Sequence, residues 1–279
     1  MRIDGNTQFI AHLGFPTTSF KAPLIYNPWF SRHEVNAVVV PMGVSAKDYA
    51  TFLAALKTSA NFKGALVTMP HKITTCMLVD QLSTQAKVAG ACNAILKLPD
   101  GQLLGEQFDG AGFVSGLQRK NQAIAGKSAL LIGCGGVGSA IAASLAEAGI
   151  AQLDLFDSNA KTAVCLEQRI QTYFPLVKVI VTTNALDGHD IVINASPLGM
   201  NPGDDLPLDK KHLSSNTFVA EVVLTQEITP FLQAAMNLGC RTQTGSEMLI
   251  EMIPMYLEFF GFGQASLDEL QLLYEETKP

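Results

Sequence analysis

Short apolar runs alternate along the chain with longer segments whose apolar positions recur at helical spacing, so strands and helices follow one another throughout. The pattern opens with a strand over 8–13 and a helix over 23–32 that has proline near its first turn. A buried strand over 37–40 follows, then a helix over 45–59 capped by Ser45, with Asp48 three residues on. A strand over 65–68 leads to a short helix after Pro70. Strands over 94–98 and 102–106 are joined by Pro99-Asp100-Gly101, a turn signal. These elements make one α/β unit of about residues 1–110. A helix over 110–120 leads to a second series, with strands at 129–132, 152–156, 177–181, 191–194 and 218–222. Helices at 137–148 and 161–173 alternate with the first three of these strands, and a further helix covers 228–238. The segment 248–260 is apolar on several faces and reads as a largely buried helix. An amphipathic helix over 266–276 ends the chain. The fold class is α/β.

A chain of 279 residues with 48% hydrophobic and 16% charged residues is long enough for two domains with sizeable cores. The net charge is −6 and no basic stripe is present, which argues against a nucleic-acid partner. The opening Met1-Arg2-Ile3-Asp4-Gly5 is not a signal peptide, and no apolar run reaches the length of a membrane span. The five cysteines (76, 92, 134, 165 and 240) are scattered, without a C-x-x-C pair. That pattern fits reduced thiols in a cytoplasm better than a disulfide frame or a metal site. The expectation is a cytoplasmic protein that binds no metal, acts on a small molecule, and is a monomer or homodimer.

The candidate chemistry begins at Leu130-Leu131-Ile132-Gly133-Cys134-Gly135-Gly136-Val137-Gly138, where an apolar strand runs into a G-x-G-x-x-G loop and then a helix rich in small residues. Gly133 suits the tight turn, Gly135 lets the backbone approach a pyrophosphate, and Gly138 lets helix and strand pack closely. The N–H groups of the helix start meet the phosphate charge. Strand, loop and helix in this order point to dinucleotide binding. Cys134 reads as a small residue tolerated in the turn. Asp157, at the end of the next apolar run, is placed to accept from the adenosine ribose hydroxyls and to repel a 2′-phosphate. No arginine follows it, since Ser158 and Asn159 come next, so NAD is favoured over NADP. Asp154, in mid-strand, reads as a solvent-facing side chain or a cap.

Motifs outside the glycine loop carry a resemblance. Gly64-Ala65-Leu66-Val67-Thr68-Met69-Pro70-His71-Lys72 is similar to the G-x-N-V-T-x-P-x-K motif of the shikimate dehydrogenase family. Gly90-Ala91-Cys92-Asn93 resembles its G-A-x-N-T, and Gln107-Phe108-Asp109-Gly110-Ala111-Gly112 its N-T-D-x-x-G. Asn194-Ala195-Ser196-Pro197-Leu198-Gly199-Met200 resembles N-A-T-P-x-G-M, and Gly245-Ser246-Glu247-Met248-Leu249 the late G-x-x-M-L. The pieces stand in family order and spacing across nearly the whole chain. The resemblance implies a substrate-binding catalytic domain of residues 1–110 and 244–279, to which the C-terminal helices return. A Rossmann domain over 111–243 binds NAD or NADP, and the active site lies in the cleft between the two.

By matching position, Lys72 and Asp109 form the catalytic pair. Oxidation of a secondary alcohol needs a group that takes the hydroxyl proton as hydride leaves carbon. A lysine near a carboxylate in a half-dry cleft can do this. Asp109 orients the ammonium, while Asn93 and Thr68 belong to the substrate side; His71 reads as a bystander. Gly133, Gly135, Gly136, Val137 and Gly138 are implied at the pyrophosphate, and Asp157, Ser158 and Asn159 at the adenosine ribose. Ser196, Pro197 and Leu198 line the path to the nicotinamide, and Val222, Gly245 and Met248 surround its ring, with ordinary core as the alternative for Val222 and Met248.

The chain departs from the family on the substrate side. The H-S-x-S-P segment, whose serines hold the shikimate carboxylate, stands here as Ser19-Phe20-Lys21-Ala22-Pro23, so both serine positions are lost, to Phe20 and Ala22. The motif asparagine is Leu66, the threonine before the catalytic acid is Phe108, the late glutamine aligns with Met252, and the tyrosine of D-x-V-Y with Leu224. Polar donors have become apolar surface, and a carboxylate buried without donors costs several kcal/mol. Shikimate therefore binds poorly unless Lys21, Thr17, Thr18 or Ser19 substitutes. The expected activity is NAD(P)-dependent, reversible hydride transfer at a ring hydroxyl or ketone of shikimate, quinate or a more apolar cyclic alcohol. The competing readings are a dinucleotide-binding regulator with little catalytic activity and another lysine-using Rossmann enzyme, such as a methylenetetrahydrofolate dehydrogenase. Retention of both Lys72 and Asp109 argues against the first, and the Asn93 and Asp109 frames fit the second less well.

Overall fold

The computed structural model describes residues 3–18, 20–182 and 188–277. The chain divides into two compact units, Met1–Phe108 with Met252–Pro279, and Asp109–Glu251.

The first unit carries β1 (Gln8–Gly14), α1 (Ala22–Arg32), β2 (Ala37–Gly43), α2 (Tyr49–Thr58), β3 (Phe62–Val67), α3 (Lys72–Thr75), β4 (Gln81–Leu82), α4 (Thr84–Ala89), β5 (Ala94–Lys97) and β6 (Leu103–Glu106). Its sheet runs β2-β1-β3-β5-β6-β4. β1 is parallel to β2 and β3, whereas β5 is antiparallel to both β3 and β6. Successive side chains on a strand point to opposite faces. Ala11 and Leu13 of β1 pack with Ala65, Val67 and Ile95, and with Tyr49 and Leu53 of α2, in the core of one face. Ile10, His12 and Gly14 consequently face the other side. The C-terminal helix α10 (Leu267–Glu275) returns to α1 within this unit, where Arg32 meets Glu276 at 3.2 Å and His33 meets Glu269 at 3.0 Å.

The helix expected from residue 45 begins only at Tyr49. The Ser45 hydroxyl donates to the Asp48 carboxylate at 2.6 Å, and the Asp48 N–H bonds the Ser45 carbonyl at 3.1 Å. The serine thus closes a separate turn instead of capping the helix. β4 and α4 are too short to leave a periodic signal. α4 is held by its ends, with Ser83 Oγ accepting from the Ala86 N–H at 3.0 Å and Gly90 left-handed.

The second unit holds α5 (Asp109–Arg119), β7 (Ser128–Ile132), α6 (Gly136–Glu147), β8 (Gln152–Phe156), α7 (Ala160–Tyr173), β9 (Lys178–Val181), β10 (Ile191–Asn194), β11 (Phe218–Glu221), α8 (Pro230–Asn237) and β12 (Arg241–Gln243). Helix α9 (Gly245–Phe259) contributes its first turns here and its remainder to the first unit. All six strands are parallel, in the order β12-β11-β10-β7-β8-β9. The chain leaves β7 toward β8 and β9, then returns to lay β10 on the other side of β7. Ligands bind at such a switch point, beyond the carboxyl ends of the strands. β12 has no counterpart in the sequence pattern because Arg241-Thr242-Gln243 contains no apolar residue. Among the described residues no helix is long and apolar enough to cross a membrane.

Candidate active site

In the second unit the glycine loop lies at the carboxyl end of β7. Gly133 has φ +96°, and a Cβ there would stand 2.7 Å from the Ala195 carbonyl carbon. A Cβ on Gly138 would overlap the Gly133 carbonyl oxygen, so the first turn of α6 can pack on the loop only as glycine. Gly135, by contrast, has no neighbour where its Cβ would stand, and it is exposed. With Gly136 and Val137 it forms the open N-terminal end of a 12-residue helix, whose N–H groups and dipole favour an anion. Cys134 is buried, and burial pushes its thiol up to about 12.

Asp157 follows β8, and its carboxylate accepts from the Cys134 N–H at 2.7 Å and from the Asn159 N–H at 2.8 Å. The acid and the glycine loop are thereby fixed to each other. Ser158 and Asn159 are exposed, and Asn159 also caps α7 through the Lys161 N–H. Asp154 is fully buried, with His189 Nε2 at 2.9 Å and the Gln152 amide donating at 2.8 Å. It is neither solvent-facing nor a cap, because a central strand of this sheet is covered on both faces. After β10, Ser196 donates to Asn194 Oδ1 at 2.6 Å and accepts from the Leu198 N–H at 3.2 Å, which shapes the turn through the exposed Pro197 and Leu198. Val222 and Gly245 come together, since a Cβ on Gly245 would stand 2.7 Å from the Val222 carbonyl carbon. Met248 is buried on α9. Asp109 is buried at the start of α5. A Cβ on the neighbouring Gly110 would overlap the Ala140 carbonyl oxygen, so glycine lets α5 lie against α6.

In the first unit the ends of β1 and β3 build a second site. Thr68 N–H bonds the Leu13 carbonyl and Phe15 N–H the Met69 carbonyl, both at 2.9 Å. A Cβ on Gly14 would stand 2.8 Å from the Phe20 ring and would overlap the Thr68 methyl group, so Phe20 and Thr68 meet over Gly14. Lys72 opens α3, and its carbonyl accepts from the Cys92 N–H at 2.8 Å, one residue before Asn93. His71 is held firmly in the fold. It is buried, stacked on Tyr49 at 3.9 Å, and bonded through Nε2 to the Val44 carbonyl at 2.9 Å. With Thr75, bonded to both Tyr49 and the His71 carbonyl, it pins the turn that carries Lys72.

Asn93 is buried; its Oδ1 accepts from the Phe108 N–H at 2.9 Å, and its Nδ2 has no partner among the described residues. Phe108 stacks edge-on with Tyr256 (4.9 Å) and Phe259 (5.4 Å). Leu66, Ala22 and Met252 are buried. The side chains expected on the substrate side therefore include an aromatic and aliphatic group, with Thr68, Lys72 and Asn93 as polar members.

His12 is a residue the sequence pattern did not single out. It stacks on Phe20 at 3.9 Å, and burial together with the Lys72 charge holds its pKa down to about 3. Its sequence signal was a lone imidazole inside an apolar strand. Ser19, one of the suggested carboxylate substitutes, lies outside the described residues.

The family model of the shikimate dehydrogenase substrate binding domain matches residues 13–95. The NADP(+) shikimate dehydrogenase of Rubrobacter xylanophilus is 32% identical over 253 residues, covering 89% of each chain. The chain belongs to the shikimate dehydrogenase family. Members are NAD(P)-dependent oxidoreductases acting on CH–OH groups. The fold is also that of shikimate 5-dehydrogenase from Listeria monocytogenes, solved with shikimate and NAD, with a TM-score of 0.89, 24% identity and 98% of each chain covered. The ligand-free 5-ketofructose reductase of Gluconobacter sp. strain CHM43 is similar at a TM-score of 0.87 and 24% identity, over 99% of this chain and 100% of the other.

Proposed function

We propose that this shikimate dehydrogenase family member transfers hydride reversibly between NAD(P) and a ring hydroxyl of a cyclic alcohol that does not rely on a buried carboxylate. The carrying observation is that Lys72 and Asn93 are retained and tied to one another by the Lys72–Cys92 backbone bond, while Phe20, Ala22, Leu66, Phe108 and Met252 stand where the family places polar groups. Lys72, as the neutral amine, takes the hydroxyl proton as hydride passes to the nicotinamide, and becomes the ammonium. The unpartnered Asn93 Nδ2 donates to a second hydroxyl, because a buried donor gains most from a ligand that satisfies it. NAD is the favoured cofactor. The Asp157 carboxylate is held at the end of β8 by two backbone N–H groups, and neither Ser158 nor Asn159 brings a positive charge to a 2′-phosphate. The name of the Gluconobacter neighbour, a reductase of an uncharged sugar ketone, is in keeping with a pocket that needs no carboxylate.

The test is initial rates for the purified protein with shikimate, quinate and their methyl esters, each with NAD and NADP, beside Lys72→Ala. Turnover that falls about 10³-fold in Lys72→Ala supports the reading. NADH binding without turnover of any cyclic alcohol supports the regulator instead.

A further inference from the structure

β1 and β3 are in register, with His12 directly beside Leu66. Paired residues on neighbouring strands share a face, so His12 stands next to the position where the family carries its substrate-binding asparagine. The next pair across the sheet is Leu66 with Ala94, which follows Asn93. The imidazole is packed face-on against Phe20, the residue standing at a lost serine position, and lies within electrostatic reach of Lys72. Its Nδ1 is buried and has no hydrogen-bond partner among the described residues, while the side chain as a whole is only half-buried, which leaves the Nε2 edge open. A buried N–H without an acceptor is rarer and costlier than a bare lone pair. The neutral ring therefore carries its proton on Nε2.

We infer that His12 is a specificity-determining residue: its Nε2–H donates to a hydroxyl or keto oxygen of an uncharged polyhydroxylated ring, replacing from β1 the polar contact that Leu66 removes from β3. The inference rests on the reading of the protein as a cyclic-alcohol oxidoreductase and names the substrate class. A neutral imidazole held unprotonated by burial gives no positive charge to a carboxylate. Beside Phe20, Ala22 and Leu66 it favours a ring bearing only hydroxyl and keto groups.

The test uses the full chain labelled with ¹⁵N on the histidine rings, titrated with shikimate methyl ester and with shikimate. His12→Leu, His12→Asn and His12→Gln are compared. Glutamine extends its amide nitrogen to the Nε2 position, whereas asparagine reaches only that of Nδ1. Unchanged NADH affinity and thermal midpoint establish that the variants are folded. The His12 Nε2 resonance should shift on addition of the ester. The ester should bind about tenfold more weakly to the Leu and Asn variants and within about twofold of wild type to the Gln variant. If wild type binds the ester while the His12 signal stays put, or if His12→Leu binds it as tightly, His12 has no substrate role and the oxidoreductase reading stands. If wild type binds neither compound, both that reading and this one fall.

Discussion

Glu221 offers a test of the second unit that depends on a single carboxyl group. It ends β11 fully buried; Thr229 donates to Oε2 at 2.9 Å, and Oε1 has no hydrogen-bond partner among the described residues. Burial raises its pKa from 4.5 to about 7, with the Thr229 hydroxyl and the Asn194 side chain pulling the other way. In the unfolded chain the group ionises near 4.5. Between 4.5 and 7 the unfolded state has lost a proton that the folded state keeps, so stability falls as pH rises through that window. Below 4.5 both states are protonated and the cost is absent; above 7 it is complete. The gap between 4.5 and about 7 corresponds to at most about 3 kcal/mol. Urea unfolding followed by far-UV circular dichroism at pH 5, 6, 7 and 8 measures this directly. Glu221→Gln keeps the shape and removes the titration, so wild type should lose about 2–3 kcal/mol relative to the variant between pH 5 and 8. Parallel stability curves for the two proteins would refute the reasoning, because a carboxyl group that ionises normally in its fold contributes no such slope.

Other sites give sharper functional outcomes. Lys72→Ala should lower kcat about 10³-fold while NADH affinity, read by fluorescence, stays within about twofold, as expected for loss of a proton-transfer group. Gly138→Ala forces a Cβ into the Gly133 carbonyl oxygen, so dinucleotide affinity in calorimetry should drop at least about tenfold. The pair Asp157→Asn with Ser158→Arg removes the charge proposed to meet the ribose and adds a phosphate partner. It should raise kcat/KM with NADP relative to NAD about tenfold or more, and an unchanged ratio would rule out the ribose assignment.

The parts of the fold legible in the chain were those written in local chemistry. Alternating apolar runs announced both sheets, and the glycine loop could be read because Gly133 and Gly138 each meet backbone at a distance no side chain tolerates. Features set by distant partners were not legible. Asp154 looked like a surface residue because its partner His189 lies 35 positions away, beyond the reach of any strand pattern. The start of α2 was misplaced because Ser45 has two uses, cap or turn, and only the fold shows that it turns toward Asp48. β12 depends on pairing with β11 rather than on its own polar sequence. His12 acquires meaning only from the register that sets it beside Leu66 and from Phe20 folding over it. The site motifs around Lys72, Asn93 and Asp109 were legible as motifs, whereas the aromatic group of Phe108, Tyr256 and Phe259 draws on segments far apart in the sequence.

On the proposed reading, a retained proton-transfer lysine, Lys72, serves a pocket that has given up its carboxylate donors. The most direct measurement is the ratio of kcat/KM for shikimate methyl ester to that for shikimate, with NAD, in the wild-type protein. The two compounds share every ring hydroxyl and differ only at the carboxyl group, which the ester neutralises with a methyl group. Here the ester should be the better substrate by about tenfold or more, since burying the carboxylate without donors costs more than burying its ester. A strong preference for shikimate itself, with an ordinary low KM, would mean that the carboxylate still has its partners and would contradict the account.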